Sequence, residues 1–184
     1  MNGERRRCAT NPPKRFSNHD EDVLESLMGI VQRQEASLIR LAYVIVKDAH
    51  IAEDCVQEAL IKAIKKCHTF KGKSSLFTWL ISILINECKS HNRSRWKRVL
   101  KMYDIDRDHI EDHSESFVQR TYMSDCLMKL DNRYRTVLYL FYYEDMDIAT
   151  ISETLSINPS TCRVRLKRGR EMLKKVYEGI GGNE

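Results

Sequence analysis

Apolar residues recur at three- and four-residue steps along most of the chain, which is the period of an amphipathic helix. The pattern predicts a first helix after Asp20 and a second after Glu35. Asp48 can cap a third helix, and Ser74 or Ser75 a fourth. The predicted apolar stripe of the third helix consists of Ala52, Val56, Ala59, Leu60, Ala63, Ile64 and Cys67. Because the joints are short and each helix has an apolar stripe, the four helices can bury one core.

A second helical region begins near Ser124 and ends in a short helix, a tight turn and a longer helix rich in arginine. Asp147 can cap the short helix, and Ser156 lies at the turn. Asn158 can cap the long helix, with Pro159 at the first helical position, where its missing N–H has no cost. The apolar side of the long helix is predicted to consist of Val164, Leu166, Leu173 and Val176. This order is typical of a helix-turn-helix, although a plain surface helix on an all-α protein fits the same spacing.

Two stretches lack the helical period. Residues 1–19 are basic and contain two prolines, so they are predicted to be a disordered tail. Residues 100–123 carry few apolar side chains and are predicted to be a flexible acidic linker. The expected fold is all-α, with a helix bundle over residues 20–99 and a helix-turn-helix domain over residues 124–179.

Composition favours the same fold class. The 184 residues are 42% hydrophobic and 8% aromatic, with 7 Gly and 3 Pro, which is too apolar for general disorder and too poor in turn formers for a many-stranded β protein. No apolar run approaches the roughly 20 residues that span a bilayer, so we expect neither a membrane anchor nor a secretory signal. The six cysteines occur singly and are predicted to be reduced thiols in the cytoplasm.

The net charge of +5 conceals an alternation along the chain. Residues 62–73 and 89–101 together contain 11 basic side chains and no acidic one. Residues 104–115 have a net charge of −5, and residues 163–175 have a net charge of +6. A single charged run is usually a solvated helix face, but two basic blocks on either side of an acidic stretch indicate two modules that bind polyanions.

The two basic regions differ in chemistry. In a helix-turn-helix the second helix enters the major groove, where arginine reads guanine and basic side chains bind phosphate. The candidates there are Thr161, Arg163, Arg165, Lys167 and Arg168. Around the first region, Phe70, Phe77 and Trp96 alternate with basic residues beside a glycine-containing loop, a mixture suited to single-stranded nucleic acid. The alternative is that Phe70 and Phe77 belong to the core.

Catalytic signatures are absent from the sequence. It contains no Walker loop, H-E-x-x-H motif, nucleophile elbow or dinucleotide fingerprint. Cys88 and His91 have a zinc-like spacing, but Cys88 falls on an apolar stripe and no second ligand pair follows at finger spacing. We therefore expect no enzyme activity, no cofactor and no metal site.

Taken together, these segments make the sequence resemble the extracytoplasmic-function group of bacterial RNA polymerase sigma factors, which retain only regions 2 and 4 of the sigma-seventy family. The resemblance covers about residues 23–98 and 124–177. It is carried by Ala52 to Ala59 (AEDCVQEA), by Phe70 to Leu80 (FKGKSSLFTWL), and by Leu130 to Leu173. Each segment alone is weakly specific, whereas their order and spacing are strongly so.

The resemblance implies an alternative sigma factor that binds the β′ clamp and β flap of core RNA polymerase, recognises and melts promoter DNA, and initiates transcription. It also implies a stress or envelope response and control by an anti-sigma factor. The implied polymerase-binding residues are Asp54, Gln57 and Glu58. The implied minus-ten residues, of which Asn86 and the loop capture a flipped base, are Phe70, Lys71, Lys73, Ser74, Asn86, Lys89, Arg93 and Arg95. The implied minus-thirty-five residues are Ser160, Thr161, Arg163, Arg165, Lys167 and Arg168.

The chain also departs from the group at particular positions. Val164 and Gly169 stand where serine and alanine are common, so the base preference is not carried over. From the residues alone, a one-component repressor or activator that binds duplex DNA through the helix-turn-helix remains an alternative. A helical nuclease is a third hypothesis, but no acidic or histidine cluster supports it.

Overall fold

A computed structural model describes residues 18–101 and 122–181 of the chain. Residues 1–17 of the predicted tail and 102–121 of the predicted linker lie outside the described residues. The ends of the two predicted segments, residues 18–19, 100–101 and 122–123, are helical, so the prediction is wrong there. Every regular element within the described residues is a helix, which confirms the all-α prediction. No helix in these two ranges combines the length and the apolarity needed to cross a membrane.

The N-terminal module, residues 18–101, consists of three helices. They are α1 (Asn18–Val46), α2 (Ala49–Lys66) and α3 (Leu76–Lys101), with a short 3₁₀ turn at Cys67–Thr69. The prediction of two helices before Asp48 is wrong, because α1 is continuous over 29 residues. The polar residues around Glu35 are good helix formers and no proline interrupts them, so the change of apolar register does not end the helix.

Short side chains fix where α2 and α3 begin. The Asp48 carboxylate accepts a hydrogen bond from the Ile51 N–H at 3.1 Å. The Ser75 hydroxyl oxygen accepts one from the Thr78 N–H at 3.0 Å. Both caps satisfy N–H groups that have no partner within their own helix, and both confirm the predicted helix starts.

The buried face of α2 is narrower than its predicted stripe. Ala52, Val56, Ala59, Ala63 and Cys67 are at most 4% exposed, whereas Ile64 is 47% exposed. Placing Ile64 in the stripe is therefore wrong. Each helical residue turns the side chain by about 100°, and the residue that follows the buried Ala63 is carried off the core face.

The C-terminal module, residues 122–181, consists of four helices. They are α4 (Tyr122–Met128), α5 (Asn132–Tyr142), α6 (Ile148–Leu155) and α7 (Pro159–Gly181). The Asp147 carboxylate caps α6 by accepting a hydrogen bond from the Thr150 N–H at 2.7 Å. Asn158 Oδ1 accepts from the Ser160 N–H at 2.9 Å at the start of α7. These contacts confirm the predicted caps of the helix-turn-helix.

The turn between α6 and α7 is made without glycine. Ser156 takes the left-handed conformation, with φ 55° and ψ 48°, and its N–H donates to the carbonyls at the end of α6. A left-handed residue is a common way to end a helix, and it is usually glycine or asparagine. Here a serine fills the position.

The buried side of α7 is formed by Cys162, Leu166 and Gly169. A Cβ atom at position 169 would lie 3.1 Å from Leu138 Cδ1, so glycine allows α7 to approach α5 closely. Val164 was predicted on this side, but the residue is 49% exposed and that prediction is wrong. Cys162 and Leu166 are both buried, and Val164 lies midway between them in the sequence. Its side chain therefore points away from α5.

The two modules pack against each other. Their buried side chains form one continuous cluster that runs from Val23 in α1 to Leu166 in α7. Cys55, Cys67, Cys88 and Cys162 belong to this cluster, and these four cysteines and Cys126 are buried free thiols. The core of the described structure is therefore shared between the modules and not divided between them.

Candidate nucleic-acid and protein interfaces

The exposed side of α2 combines acidic and apolar side chains. Asp54, Gln57 and Glu58 are exposed and lie at helical spacing on one face. Ile61 and Ile64 continue that face and are 50% and 47% exposed. Large exposed apolar groups suit a protein partner, and the carboxylates beside them would repel a polyanion. The sequence pattern did not identify the two isoleucines as exposed residues of this face, although Ile61 lay outside the predicted apolar stripe.

An ion pair between Lys62 and Glu87 joins the exposed side of α2 to α3. The ammonium of Lys62 donates to the Glu87 carboxylate, and this contact raises the pKa of Lys62. The acidic face is therefore presented by a helix that is braced against its neighbour.

The loop before α3 leaves its polar side chains open to solvent. Lys71, Lys73 and Ser74 are exposed. Gly72 has a φ of +66°, a backbone conformation that residues other than glycine rarely adopt. Phe70 is half-buried, with its ring centroid 5.4 Å from that of Trp79. The loop is thus anchored by one aromatic residue and offers cations and hydroxyls beyond it.

A cavity of about 890 Å³ lies beside this loop. Phe70 and Leu76 form one side of it, and residues of α1 from Asp22 to Arg33 form the other. Phe77, like Phe70, is half-buried against the core. The alternative that these two residues belong to the core therefore holds for the buried part of each side chain. A planar base has room to enter here and reach the exposed part of Phe70.

Asn86 and Arg93 are exposed on α3, seven residues apart and therefore on one side of the helix. Lys89 lies between them, but its ammonium donates a hydrogen bond to the Leu155 carbonyl of α6 at 3.2 Å. Partial desolvation, followed by the charge of Arg165, lowers the pKa of Lys89. The side chain of Arg95 lies outside the described residues.

The first half of α7 presents the third group of predicted residues. Thr161, Arg163, Lys167 and Arg168 are exposed, and Arg165 is half-buried. The Ser160 hydroxyl donates to Asn158 Oδ1 at 2.8 Å, so this hydroxyl helps to form the start of the helix. One face of α7 is therefore basic, with Val164 as an exposed apolar residue among the arginines.

Lys89 and Arg165 lie at one cleft between the modules. This cleft has a volume of about 440 Å³ and is also lined by Arg133, Ile45 and Ile85. The structure thus brings together a cation predicted for the minus-ten element and one predicted for the minus-thirty-five element.

A second apolar concavity, which the sequence reasoning missed, lies on the C-terminal module. It has a volume of about 460 Å³ and is lined in part by Met123, Tyr142, Tyr143 and Tyr177. Tyr142 and Tyr143 are 55% and 57% exposed. The sequence signal for this concavity was the run of aromatic residues at the end of α5, because they cannot all face the core.

The described residues contain no cluster of three histidine, cysteine or carboxylate side chains arranged to hold a metal ion. Cys88 is fully buried, and its thiol forms a hydrogen bond with the free thiol of Cys55.

Two helical modules, the second with a helix-turn-helix and a basic recognition helix, define a DNA-binding transcription factor. Sigma-70 region 2 matches residues 30–98, and Sigma-70 region 4 matches residues 120–173. The chain belongs to the sigma-70 family, in its extracytoplasmic-function group. One relative is the ECF RNA polymerase sigma factor SigW of Bacillus subtilis, 29% identical over 91% of this chain and 95% of the relative.

Two solved structures share the fold. One is the sigma factor RpoE in complex with the anti-sigma factor NepR from Bartonella quintana, with a TM-score of 0.71 and 22% identity over 86% of this chain and 98% of that one. The other is CnrH in complex with the cytosolic domain of CnrY, with a TM-score of 0.61 and 17% identity over 87% of this chain and 95% of that one.

The protein is thus an alternative sigma factor, which binds core RNA polymerase and directs promoter recognition, DNA melting and transcription initiation. Members of this family are initiation factors without catalytic activity of their own. This assignment sets aside the one-component repressor that the residues alone had left open.

Proposed function

We propose that this sigma factor divides its work among three surfaces: the acidic face of α2 for polymerase, the Phe70–Ser75 loop with α3 for the minus-ten element, and α7 for the minus-thirty-five element. The observation that carries the proposal is the exposure of the matched polar residues on all three elements, above a buried apolar core. The proposed boundaries are region 2 over residues 20–99, a linker over 100–123 and region 4 over 124–179.

On the polymerase side, Asp54, Gln57 and Glu58 bind the β′ clamp, with Ile61 and Ile64 adding apolar contact area. Interfaces gain most of their binding energy from apolar area that is removed from water, while the charged groups around it set orientation. The apolar concavity between α4, α5 and α7 is the proposed seat of the β flap, which the exposed Tyr142 and Tyr143 support.

At the minus-ten element, a base flipped from the non-template strand enters beside Phe70 and hydrogen-bonds to Asn86. Lys71, Lys73, Ser74, Lys89, Arg93 and Arg95 hold the backbone of the melted strand. Flipping a base costs a few kcal/mol, and pocket contacts offset that cost. The cavity next to Phe70 supports this role.

At the minus-thirty-five element, α7 enters the major groove of duplex DNA. Arg163 and Arg165 read base edges or bind phosphate near the start of the helix, and Lys167 and Arg168 bind phosphate further along. Ser160 and Thr161 lie at the end of the helix that faces the groove in this class of motif.

An anti-sigma factor holds the protein inactive in the cytoplasm until a stress or envelope signal releases it. The complexes of RpoE with NepR and of CnrH with the cytosolic domain of CnrY support this proposal by analogy of fold. A pull-down of the full chain from lysate of its own cells tests it. We expect polymerase subunits and one further stoichiometric protein, and recovery of polymerase alone would contradict the anti-sigma proposal.

The polymerase-binding role predicts the effect of Asp54→Ala combined with Gln57→Ala. Loss of two polar contacts at the rim of a protein interface is expected to weaken core binding by roughly 10-fold. Glu21→Ala with Gln34→Ala also removes one carboxylate and one side-chain amide, from exposed positions of α1, and is the matched control. Fluorescence anisotropy with labelled core enzyme measures the affinities, and equal affinities for both double variants would refute the role of the α2 face.

The base-capture role predicts the effect of Asn86→Ala. Because Asn86 contacts only the unpaired base, its removal should reduce open-complex formation while closed-complex binding changes little. Permanganate reactivity of promoter thymines reports melting, and a gel-shift assay at low temperature reports the closed complex. Ser90→Ala, an exposed neighbour on the same helix, should match the parent in both assays. Equal permanganate reactivity of Asn86→Ala and parent would contradict base capture.

A further inference from the structure

The cavity beside the Phe70 loop continues along α1 as a groove. Its lining residues on α1 run from Asp22 to Arg33. That stretch of helix is about 16 Å long at ~1.5 Å per residue, whereas successive nucleotides of a stacked strand are only about 3.4 Å apart. A base that stacks beside Phe70 therefore fills one part of the groove, and the rest has room for the adjoining nucleotide.

Arg33 brings an unpaired cation to this groove. The residue is exposed, and among the residues that the structure describes its guanidinium forms neither a hydrogen bond nor an ion pair. A guanidinium has five N–H donors and no acceptor. Arg33 lies in one wall of the groove, and Phe70 and Leu76 lie in the other. Its donors can therefore bind an anionic ligand that occupies the groove.

Gly29 determines where the Arg33 guanidinium lies. A Cβ atom at position 29 would be 3.3 Å from Nη1 and 3.4 Å from Nη2 of Arg33, and its next nearest atom would be Cζ of the same group. The guanidinium thus lies across the bare backbone of α1, one turn before its own residue. Glycine destabilises the interior of a helix relative to alanine. Helix propensity does not account for this glycine, whereas the close approach of the guanidinium does.

Charge along the groove orients a strand within it. Asp22 and Glu25 line the groove near the start of α1, whereas the Arg33 guanidinium lies further along, at the level of Gly29. Carboxylates repel phosphate and a guanidinium attracts it. Neither carboxylate forms an ion pair with Arg33, so its charge is not neutralised within the groove. A phosphate of a bound strand therefore lies against Arg33 and away from Asp22.

We propose that the Arg33 guanidinium binds a phosphate of the melted non-template strand, next to the base captured beside Phe70, so that α1 supplies a further subsite for single-stranded DNA. This role rests on the base capture proposed above, and it adds Arg33 and its positioning residue Gly29 to the minus-ten residues. Arginine binds phosphate through two parallel N–H···O hydrogen bonds. Since phosphate contacts position a strand without reading its sequence, Arg33 strengthens the binding of different minus-ten sequences to a similar degree.

The test uses the full chain assembled with core RNA polymerase and a labelled 12-nucleotide single-stranded DNA that the parent holoenzyme selects from a random pool. Fluorescence anisotropy at several salt concentrations measures the affinity. Arg33→Gln should weaken binding about 5-fold at ~0.1 M salt and reduce the slope of log affinity against log salt by about 0.7, the value for one phosphate contact to a single strand. Lys129→Gln removes an exposed cation from the C-terminal module and should match the parent.

Gly29→Leu tests the position of the guanidinium without removing its charge. Leucine is a better helix former than glycine, so this variant should be at least as stable as the parent in thermal unfolding. Its side chain takes the place of the guanidinium on α1, and binding of the 12-nucleotide strand should weaken. Parental affinity of both Arg33→Gln and Gly29→Leu would refute the subsite, and parental affinity of Gly29→Leu alone would overturn the positioning role of Gly29.

Uncharged methylphosphonate linkages, introduced one at a time into the strand, locate the phosphate. One linkage, next to the captured base, should weaken binding to the parent and have no effect on Arg33→Gln. Abasic nucleotides locate the captured base in the same way, through the position whose effect is lost in Asn86→Ala. If no methylphosphonate loses its effect in Arg33→Gln, the subsite is refuted while base capture stands. If no abasic position loses its effect in Asn86→Ala, base capture fails, and the subsite beside it fails as well.

Discussion

Val164 is an apolar residue on the basic face of α7, between Arg163 and Arg165, and it is 49% exposed. Exposed valine has no hydrogen bond to offer a base edge, but its methyl groups can contact the C5-methyl of thymine in the major groove. A recognition helix with valine at this position therefore has a way to prefer thymine.

This contact predicts a difference between thymine and uracil, which differ only in that methyl group. The parent should bind a selected minus-thirty-five duplex several-fold more tightly when it contains thymine, since a buried methyl contributes about 0.8 kcal/mol. Val164→Ala should bind both duplexes equally. Met172→Ala, which truncates another exposed apolar residue of α7, should keep the preference of the parent. A preference that survives in Val164→Ala would show that another group reads the methyl.

The Arg135 side chain of α5 donates to a carbonyl at the C-terminal end of α1. Arg135→Met fills similar space but leaves the Val44 and Leu130 carbonyls without their donor. We expect the free energy of unfolding to fall by about 2 kcal/mol, because unsatisfied buried acceptors cost about 1–3 kcal/mol each and removal of a desolvated charge offsets part of that. Urea denaturation followed by circular dichroism measures the change. Arg133→Met, on the exposed side of the same helix, should change stability by less than about 0.5 kcal/mol.

Helix starts were predictable because a cap is a local interaction. Asp48, Asp147 and Asn158 each bond to a main-chain N–H two or three residues away, so sequence alone contained both partners. Helix faces were less predictable. Ile64 directly follows the buried Ala63, and Val164 lies two residues from each of the buried Cys162 and Leu166. An apolar side chain that lies off the core face looks the same in a sequence as one on it.

Contacts between the modules could not be predicted from the pattern. Arg135 and Val44 are 91 residues apart, and Ser37 and Glu144 are 107 apart. Such pairs depend on how two finished modules meet. The one available signal was an arginine inside the apolar run of α5, which indicates a buried cation but not its acceptor. The basic faces were predictable in identity, yet the meeting of Lys89 and Arg165 at one cleft was not.

At the scale of the whole molecule, Glu144 makes the packing of the modules depend on pH. Burial raises the pKa of Glu144, while the Ser37 hydroxyl and the charge of Arg40 act in the opposite direction. Tyr139, which also faces Glu144, has its own pKa raised to about 12 and is neutral over this range. A carboxyl whose pKa is raised in the packed state contributes most below its ordinary pKa, and the contribution is lost as pH rises through the raised value.

Glu144→Gln removes this titration, because the amide oxygen still accepts from Ser37 without a charge. The variant should be more stable than the parent at pH 7, and the difference should vanish as pH falls towards the ordinary pKa of a glutamate. Thermal unfolding of both proteins between pH 4 and 8 measures it. Glu153→Gln, on the exposed side of α6, should follow the parent across the range, and a parallel profile for Glu144→Gln would contradict the role of this carboxyl.

The close approach of α7 to α5 at Gly169 gives this factor an indirect route to new promoter preferences. Because Gly169 has no side chain to separate the helices, Leu138 directly determines the position of α7 on α5. Leu138 is a core residue that does not contact DNA. A repacking of Leu138 shifts the recognition helix by tenths of an ångström and re-aims every arginine on its far face together. Selection can thus retune which promoters are read through the interior of the protein, while the residues that touch the bases stay unchanged.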